Sequence, residues 1–147
     1  MAFPTFNENG DLPVGIYKAT LQEVIDHFGQ GSLQRQLVAS RLKKIYNLAK
    51  ITGKLSRFII YGSFITSKES PNDVDVFLVM NDDFTKDDYK GDVLRIFEHL
   101  QTENKMKASI FWMLEMSVAV NEKIFIEGWQ NTRDNTKRGI VEVIDND

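Results

Sequence analysis

The chain has 147 residues and a mass of 16.9 kDa, a common size for one domain, and its hydrophobic fraction of 42% excludes disorder over most of its length. The absence of cysteine excludes a disulfide framework, a thiolate nucleophile and a sulfur-based zinc site, and we expect a cytoplasmic protein. The net charge of −3 gives no global basis for extended nucleic-acid binding, and the short apolar runs predict neither membrane insertion nor secretion.

The N-terminal residues predict a packed arm. Residues 7–15 are rich in turn formers, and the Asn9-Gly10 pair accepts positive φ readily. We expect a single domain over residues 1–147 in which residues 1–16 form this arm. Thr20 and Glu23 then have the spacing of a reciprocal helix cap, which predicts a short helix that ends at Gly29.

A longer helix follows. Ser32 is the predicted cap, an apolar stripe runs from Leu33 to Ala49, and Gly53 marks the end. The basic residues assigned to its other face are Arg35, Arg41, Lys43, Lys44 and Lys50. We interpret them as a solvated face, and the alternative is RNA binding through Arg41, Lys43 and Lys44.

The rest of the chain alternates between strands and helices. The predicted strands cover residues 57–61, 74–80, 107–114 and 139–144, a helix covers 85–100, and residues 115–130 are helical in part. This order predicts a mixed α/β or α+β domain.

The residues that carry chemistry lie where the first two predicted strands meet. Gly62 and Ser63 end one strand, and Asp73 and Asp75 begin the next. Because alternate residues of an extended chain face the same side, the two carboxylates are expected to project together and to bind Mg²⁺ or Mn²⁺ with the help of substrate phosphates. Gly62 lets the main chain approach a phosphate, and the Ser63 hydroxyl can donate to it.

Gly62, Ser63, Asp73 and Asp75 match the hallmark of the polymerase-beta-like nucleotidyltransferase superfamily, which the chain therefore resembles. The chain is also similar, more weakly and over nearly its whole length, to short bacterial nucleotidyltransferase-like proteins, with characteristic residues in the segments 10–15 and 133–141. The resemblance implies a minimal nucleotidyltransferase fold, a small mixed sheet with helices mainly on one face. It also implies transfer of a nucleoside monophosphate with release of pyrophosphate.

The chain departs from this family where a neighbouring strand normally supplies a third carboxylate. The segment 107–114 contains Ser109 and has no acid until Glu115. Glu115 is a candidate if that strand is longer than predicted, and Glu142 is a candidate if the terminal strand lies alongside Asp75. Lys68 and Arg133 are further candidate phosphate ligands, each with a plain alternative as a solvated residue of a surface loop.

These observations predict a metal-dependent nucleotidyltransferase that moves a nucleoside monophosphate from a nucleoside triphosphate to a hydroxyl of a protein or RNA acceptor. By family analogy, the context is a toxin–antitoxin or phage-defence module. The alternative is a catalytically silent module on the same fold that binds a nucleotide or neutralises a partner protein. A chain this short leaves little room for acceptor recognition, so a second subunit or a partner protein is expected to complete the cleft.

Overall fold

A five-stranded mixed sheet organises the chain in a computed structural model that describes residues 3–98, 108–132, 134 and 136–145. The strands are β1 (Ile16–Thr20), β2 (Leu55–Tyr61), β3 (Val74–Met80), β4 (Ala108–Leu114) and β5 (Ile140–Ile144). The helices of this part are α1 (Leu21–Phe28), α2 (Leu33–Ile51), α3 (Gly91–Arg95), α4 (Glu115–Val120) and α5 (Glu122–Gln130). This arrangement confirms the predicted α+β class.

The strands lie in the order β1-β5-β2-β3-β4. The two outer pairs, β1 with β5 and β3 with β4, are parallel, and β2 runs antiparallel to both of its neighbours. β1 was not predicted, because it is a five-residue edge strand whose only partner lies about 120 residues further along the chain. The arm that precedes it packs at the same edge, where the Gly139 N–H donates to the Leu12 carbonyl (2.8 Å).

The two faces of the sheet carry separate clusters of buried side chains. Val76 and Leu78 of β3 face α1 and α2, in the larger cluster. Phe77 faces the opposite side, where Trp129 of α5 lies 5.0 Å from it between ring centroids. Because side chains alternate along a strand, Asp75 shares this second side with Phe77. The candidate site therefore lies on the α4–α5 side of the sheet.

Two helix starts follow the prediction from sequence. The Thr20 hydroxyl accepts from the Glu23 N–H (3.2 Å), and the Glu23 carboxylate accepts from the Thr20 N–H (2.9 Å). Ser32 caps α2 in a similar way by accepting from the Arg35 N–H (3.1 Å). These hydrogen bonds satisfy N–H groups that have no acceptor within the helix. For this reason the capping pattern in the sequence predicts where α1 and α2 begin.

The helix predicted over residues 85–100 is wrong. The chain forms a short 3₁₀ turn at Lys86–Asp88 and then α3, and Tyr89 between them is extended. The Tyr89 hydroxyl donates to the Thr52 carbonyl (3.1 Å), and its ring stacks on Phe84. These long-range contacts hold Tyr89 outside a helix, and residues 99 and 100 fall outside the described part.

None of the helices in the described part of the chain has the length and apolar character needed to span a membrane.

Candidate functional site

Gly62 brings the end of β2 against the side chain of Asp75. Tyr61 pairs with Asp75 across the two strands, and Gly62 directly follows with φ of 84°. A Cβ at Gly62 would lie 2.9 Å from Cγ of Asp75 and would overlap one carboxylate oxygen. Only glycine fits this backbone conformation and this space, so the turn and the carboxylate form one packed unit.

Asp73 and Asp75 are both half-buried at the start of β3. Asp73 lies one residue before the strand, and Asp75 is its second residue. Val74, which separates them, is fully buried in the cluster under α2. This alternation agrees with the expectation that the two carboxylates face away from α2.

Tyr61 lies opposite Asp75, so the protonation state of its phenol affects the charge beside the two carboxylates. Burial raises the pKa of the Tyr61 phenol, and the negative charge of Asp75 raises it further. The phenol is therefore neutral at physiological pH and adds no second negative charge beside the carboxylate.

The position where a third carboxylate was expected holds a serine. β4 lies directly beside β3, and Ser109 pairs in register with Asp75. Within the described residues, no group of three or more His, Cys, Asp or Glu side chains comes together as a metal site. At the β4 position beside Asp75, the described chain therefore offers a hydroxyl and not a third carboxylate.

Glu142 does not lie beside Asp75. β5 pairs with β1 and β2, so β2 separates it from β3, and Glu142 lies opposite Ile59. The Arg57 guanidinium donates two hydrogen bonds to the Glu142 carboxylate (2.8 and 3.2 Å). Glu142 was a candidate third ligand only if β5 lay alongside Asp75, and β5 does not. The Glu142 carboxylate instead pairs with Arg57.

Glu115 also lies away from the pair. It is the first residue of α4, after the end of β4, where Leu114 pairs with Met80. Glu115 is six positions after Ser109, and in an extended chain this separation corresponds to about 20 Å between the two residues. β4 does not extend in the way that this role requires, so the geometry supports neither glutamate as the missing ligand.

Arg35 is the residue whose role the sequence analysis missed. It was assigned to the solvated face of α2, which is wrong, because only 8% of the residue is exposed. Its guanidinium donates to four main-chain carbonyl oxygens, those of Phe28 (2.9 Å), Phe64 (2.8 Å), Thr66 (2.5 Å) and Lys68 (2.5 Å). Burial lowers its pKa. Its three- and four-residue spacing to the buried Val38 and Ala39 was the signal for its burial.

Other side chains of α2 also fasten the segment 63–72, which we call the β2–β3 loop. Gln34 donates to the Pro71 carbonyl (3.0 Å), and Ser32 donates to the Glu69 carbonyl (3.3 Å). On the other side, the Ser67 N–H donates to the Gly10 carbonyl of the N-terminal arm (2.8 Å). The loop that follows Gly62 is therefore held between the helix and the arm.

The basic residues divide between surface ion pairs and open solvent. Lys44 pairs with Asp92 (3.5 Å) and Lys50 with Asp145 (2.7 Å), which agrees with a solvated face more than with an RNA surface. The Lys68 side chain is exposed, as expected for a loop residue. Arg133 lies outside the described residues, so its role as a phosphate ligand stays a prediction.

Comparison with known proteins identifies the family and no function. A family model described as a family of unknown function (DUF6932) matches residues 4–144, so the chain belongs to this family. No curated protein and no solved structure gives a significant match.

A first prediction concerns the contact between Gly62 and Asp75. We expect Gly62→Ala to lower the free energy of unfolding by more than about 1 kcal/mol, because the new methyl group must displace the Asp75 carboxylate and accept a positive φ. Gly53→Ala is the matched control, since Gly53 has φ of 66° with nothing within 4 Å of the added carbon. Urea denaturation measures both variants, and equal losses would contradict the close packing.

A second prediction concerns Arg35. We expect Arg35→Met to lower the free energy of unfolding by about 3 kcal/mol, because it strips several buried carbonyls of their donor. Hydrogen exchange in the β2–β3 loop should rise as well. Arg41→Met is the control, since Arg41 makes one long bond to the Asn72 carbonyl (3.4 Å). Unchanged exchange in Arg35→Met would refute the anchoring role.

Proposed function

We propose that this DUF6932 protein binds a nucleoside triphosphate together with one divalent cation, Mg²⁺ or Mn²⁺. Asp73 and Asp75 would hold the cation, and Gly62 and Ser63 would hold the phosphates. The observation that carries this proposal is the packing of the Gly62 backbone on the Asp75 carboxylate. This contact supports the proposal, because a metal-bound triphosphate needs its phosphate ligands and its metal ligands close together.

The number of carboxylates argues for binding without turnover. Magnesium keeps several waters and is commonly held by one or two carboxylates plus substrate phosphates, which fits Asp73 and Asp75. In-line displacement by two metals needs ligands for a second ion near the acceptor oxygen. Ser109 occupies the position beside Asp75 from which the third carboxylate would act. A nucleotide-binding module is therefore the function that this geometry favours.

The neighbouring groups have defined roles in this proposal. Ser63 would donate its hydroxyl to a phosphate oxygen, and the neutral Tyr61 phenol would add no repulsion to the approaching phosphates. Arg35 would act as a positioning residue that keeps the β2–β3 loop in shape. Lys68, which is exposed on the same loop, would be a further ligand for phosphate oxygens.

Nucleotidyl transfer to a hydroxyl of a protein or RNA acceptor is the second candidate function. The observation that favours it is the retention of both Asp73 and Asp75 in a position where one further carboxylate would complete the ligand set. An acceptor or a second subunit would have to bring that group. A toxin–antitoxin or phage-defence context fits either candidate, because both act on a second macromolecule.

A third prediction tests nucleotide binding. We expect the wild-type chain to bind nucleoside triphosphates in calorimetry when Mg²⁺ or Mn²⁺ is present, and Asp75→Asn to bind at least about tenfold more weakly because one of two charged metal ligands is lost. Asp87→Asn is the control, since Asp87 is exposed on the turn before α3. Full metal-dependent binding by Asp75→Asn would place the site elsewhere.

A fourth prediction separates the two candidate functions. We expect no transfer of label from any α-labelled nucleoside triphosphate by the wild type, and transfer by Ser109→Asp, which places a carboxylate beside Asp75. Ser109→Asn is the matched control, since it adds similar bulk without charge. Gel analysis of protein and RNA from a bacterial lysate would detect the label. Label from the wild type that disappears in Asp75→Asn would establish the transferase instead.

A further inference from the structure

Arg138, just before β5, holds a half-buried guanidinium with few contacts. The side chain is 22% exposed, and among the described residues its guanidinium makes one hydrogen bond, to the Asp11 carboxylate (3.3 Å). By contrast, the Arg35 guanidinium donates to four carbonyl oxygens, and that of Arg57 donates twice to Glu142. Because a guanidinium carries several N–H donors in a fixed planar arrangement, Arg138 keeps donors that no acceptor in this part of the chain uses.

The main chain of Arg138 is attached to a helix that packs on the same face of the sheet as Asp75. The Arg138 N–H donates to the carbonyl of Gln130 (3.0 Å), the last residue of α5. α5 packs on the sheet through Trp129, which lies against Phe77. Phe77 is two residues after Asp75 on β3, so the two side chains share one face. Arg138 is therefore held beside the face on which the candidate site lies.

The strand pairing places Arg138 at the same end of the sheet as the turn at residues 62–63. β2 and β5 are antiparallel neighbours, with Ile60 opposite Val141. The turn begins two residues after Ile60, and Arg138 lies three residues before Val141, so both lie beyond the same end of this strand pair. Neighbouring strands are about 4.8 Å apart, which is less than the length of an extended arginine side chain. The guanidinium is thus within reach of a ligand bound at the turn.

The N-terminal arm connects Arg138 to the β2–β3 loop. Asp11 of the arm accepts from the Arg138 guanidinium. The preceding residue, Gly10, accepts from the Ser67 N–H of the loop (2.8 Å), and a Cβ at Gly10 would overlap the Ser67 hydroxyl. Because the Cα atoms of adjacent residues are about 3.8 Å apart, these two contacts of the arm bring the guanidinium close to the loop that follows the turn.

We propose that Arg138 binds the terminal phosphate of the nucleoside triphosphate, an inference that rests on the proposed function. In the order β5-β2-β3, the turn at the end of β2 has Arg138 on its β5 side and the carboxylates of Asp73 and Asp75 on its β3 side. The guanidinium and the carboxylate-bound cation would thus neutralise the phosphates from opposite sides. A guanidinium suits this role because its planar N–H groups match phosphate oxygens in pairs.

This role makes Arg138 a residue that determines specificity for the number of phosphates. The guanidinium is already held by Asp11 before a ligand arrives, and both side chains are largely buried, so little side-chain entropy remains to be lost on binding. A nucleoside diphosphate has no terminal phosphate to reach Arg138 while its other phosphates occupy the turn and the cation. We therefore expect the site to bind triphosphates more tightly than diphosphates.

Calorimetry of the full chain with Mg²⁺ and either ATP, GTP, CTP and UTP or the matching diphosphates tests the proposal. We expect Arg138→Met to bind the preferred triphosphate at least about tenfold more weakly and the diphosphate with unchanged affinity, so that the preference for the triphosphate is lost. Arg138→Lys should keep part of this preference, because it keeps the charge. Arg95→Met is the matched control, since Arg95 also pairs with one carboxylate, that of Asp92, on α3 at the α2 side of the sheet.

The outcomes separate this inference from the proposed function. An equal loss of triphosphate and diphosphate affinity in Arg138→Met would overturn the inference, because it would mean that Arg138 acts only by holding the fold. Unchanged triphosphate affinity in Arg138→Met, with binding still lost in Asp75→Asn, would also overturn it and leave the proposed function standing. A wild type that binds no nucleoside triphosphate in the presence of Mg²⁺ would overturn both.

Discussion

The buried guanidinium of Arg35 determines the shape of the loop on which the candidate site depends. A charge in a protein interior is tolerated only when hydrogen bonds replace its hydration, and four carbonyl oxygens from two parts of the chain provide them here. Three of these carbonyls belong to the β2–β3 loop. Because these oxygens must point toward α2, the path of the loop between the two strands is restricted. One side chain of the helix thus fixes the conformation of residues about 30 positions further along the chain.

The pairing of β2 with β3 fixes the two ends of the β2–β3 loop, in addition to the contacts that Arg35 makes with its interior. The antiparallel pairing of β2 with β3 places Tyr61 opposite Asp75, so the two ends of the loop are held at neighbouring positions. Gly62 then turns the chain in the narrow space beside the carboxylate. With both ends and several interior carbonyls fixed, little conformational entropy remains to be lost when a ligand binds. This rigidity supports the proposal that a site with only two carboxylates binds a metal-bound triphosphate.

Features that depend on neighbouring residues could be predicted from the sequence, and features that depend on distant pairing could not. The Thr20 cap is an exchange between residues three apart, and β3 is a short apolar run bounded by turn residues. The third carboxylate is different, because its identity depends on which strand lies beside β3 and in which register. The structure confirms the expectation that the strand with Ser109 lies beside β3, and it alone shows the register and the pairing of Glu142 with Arg57. Arg35 was missed because a charged residue was assumed to be solvated, although its helical spacing placed it on the buried stripe.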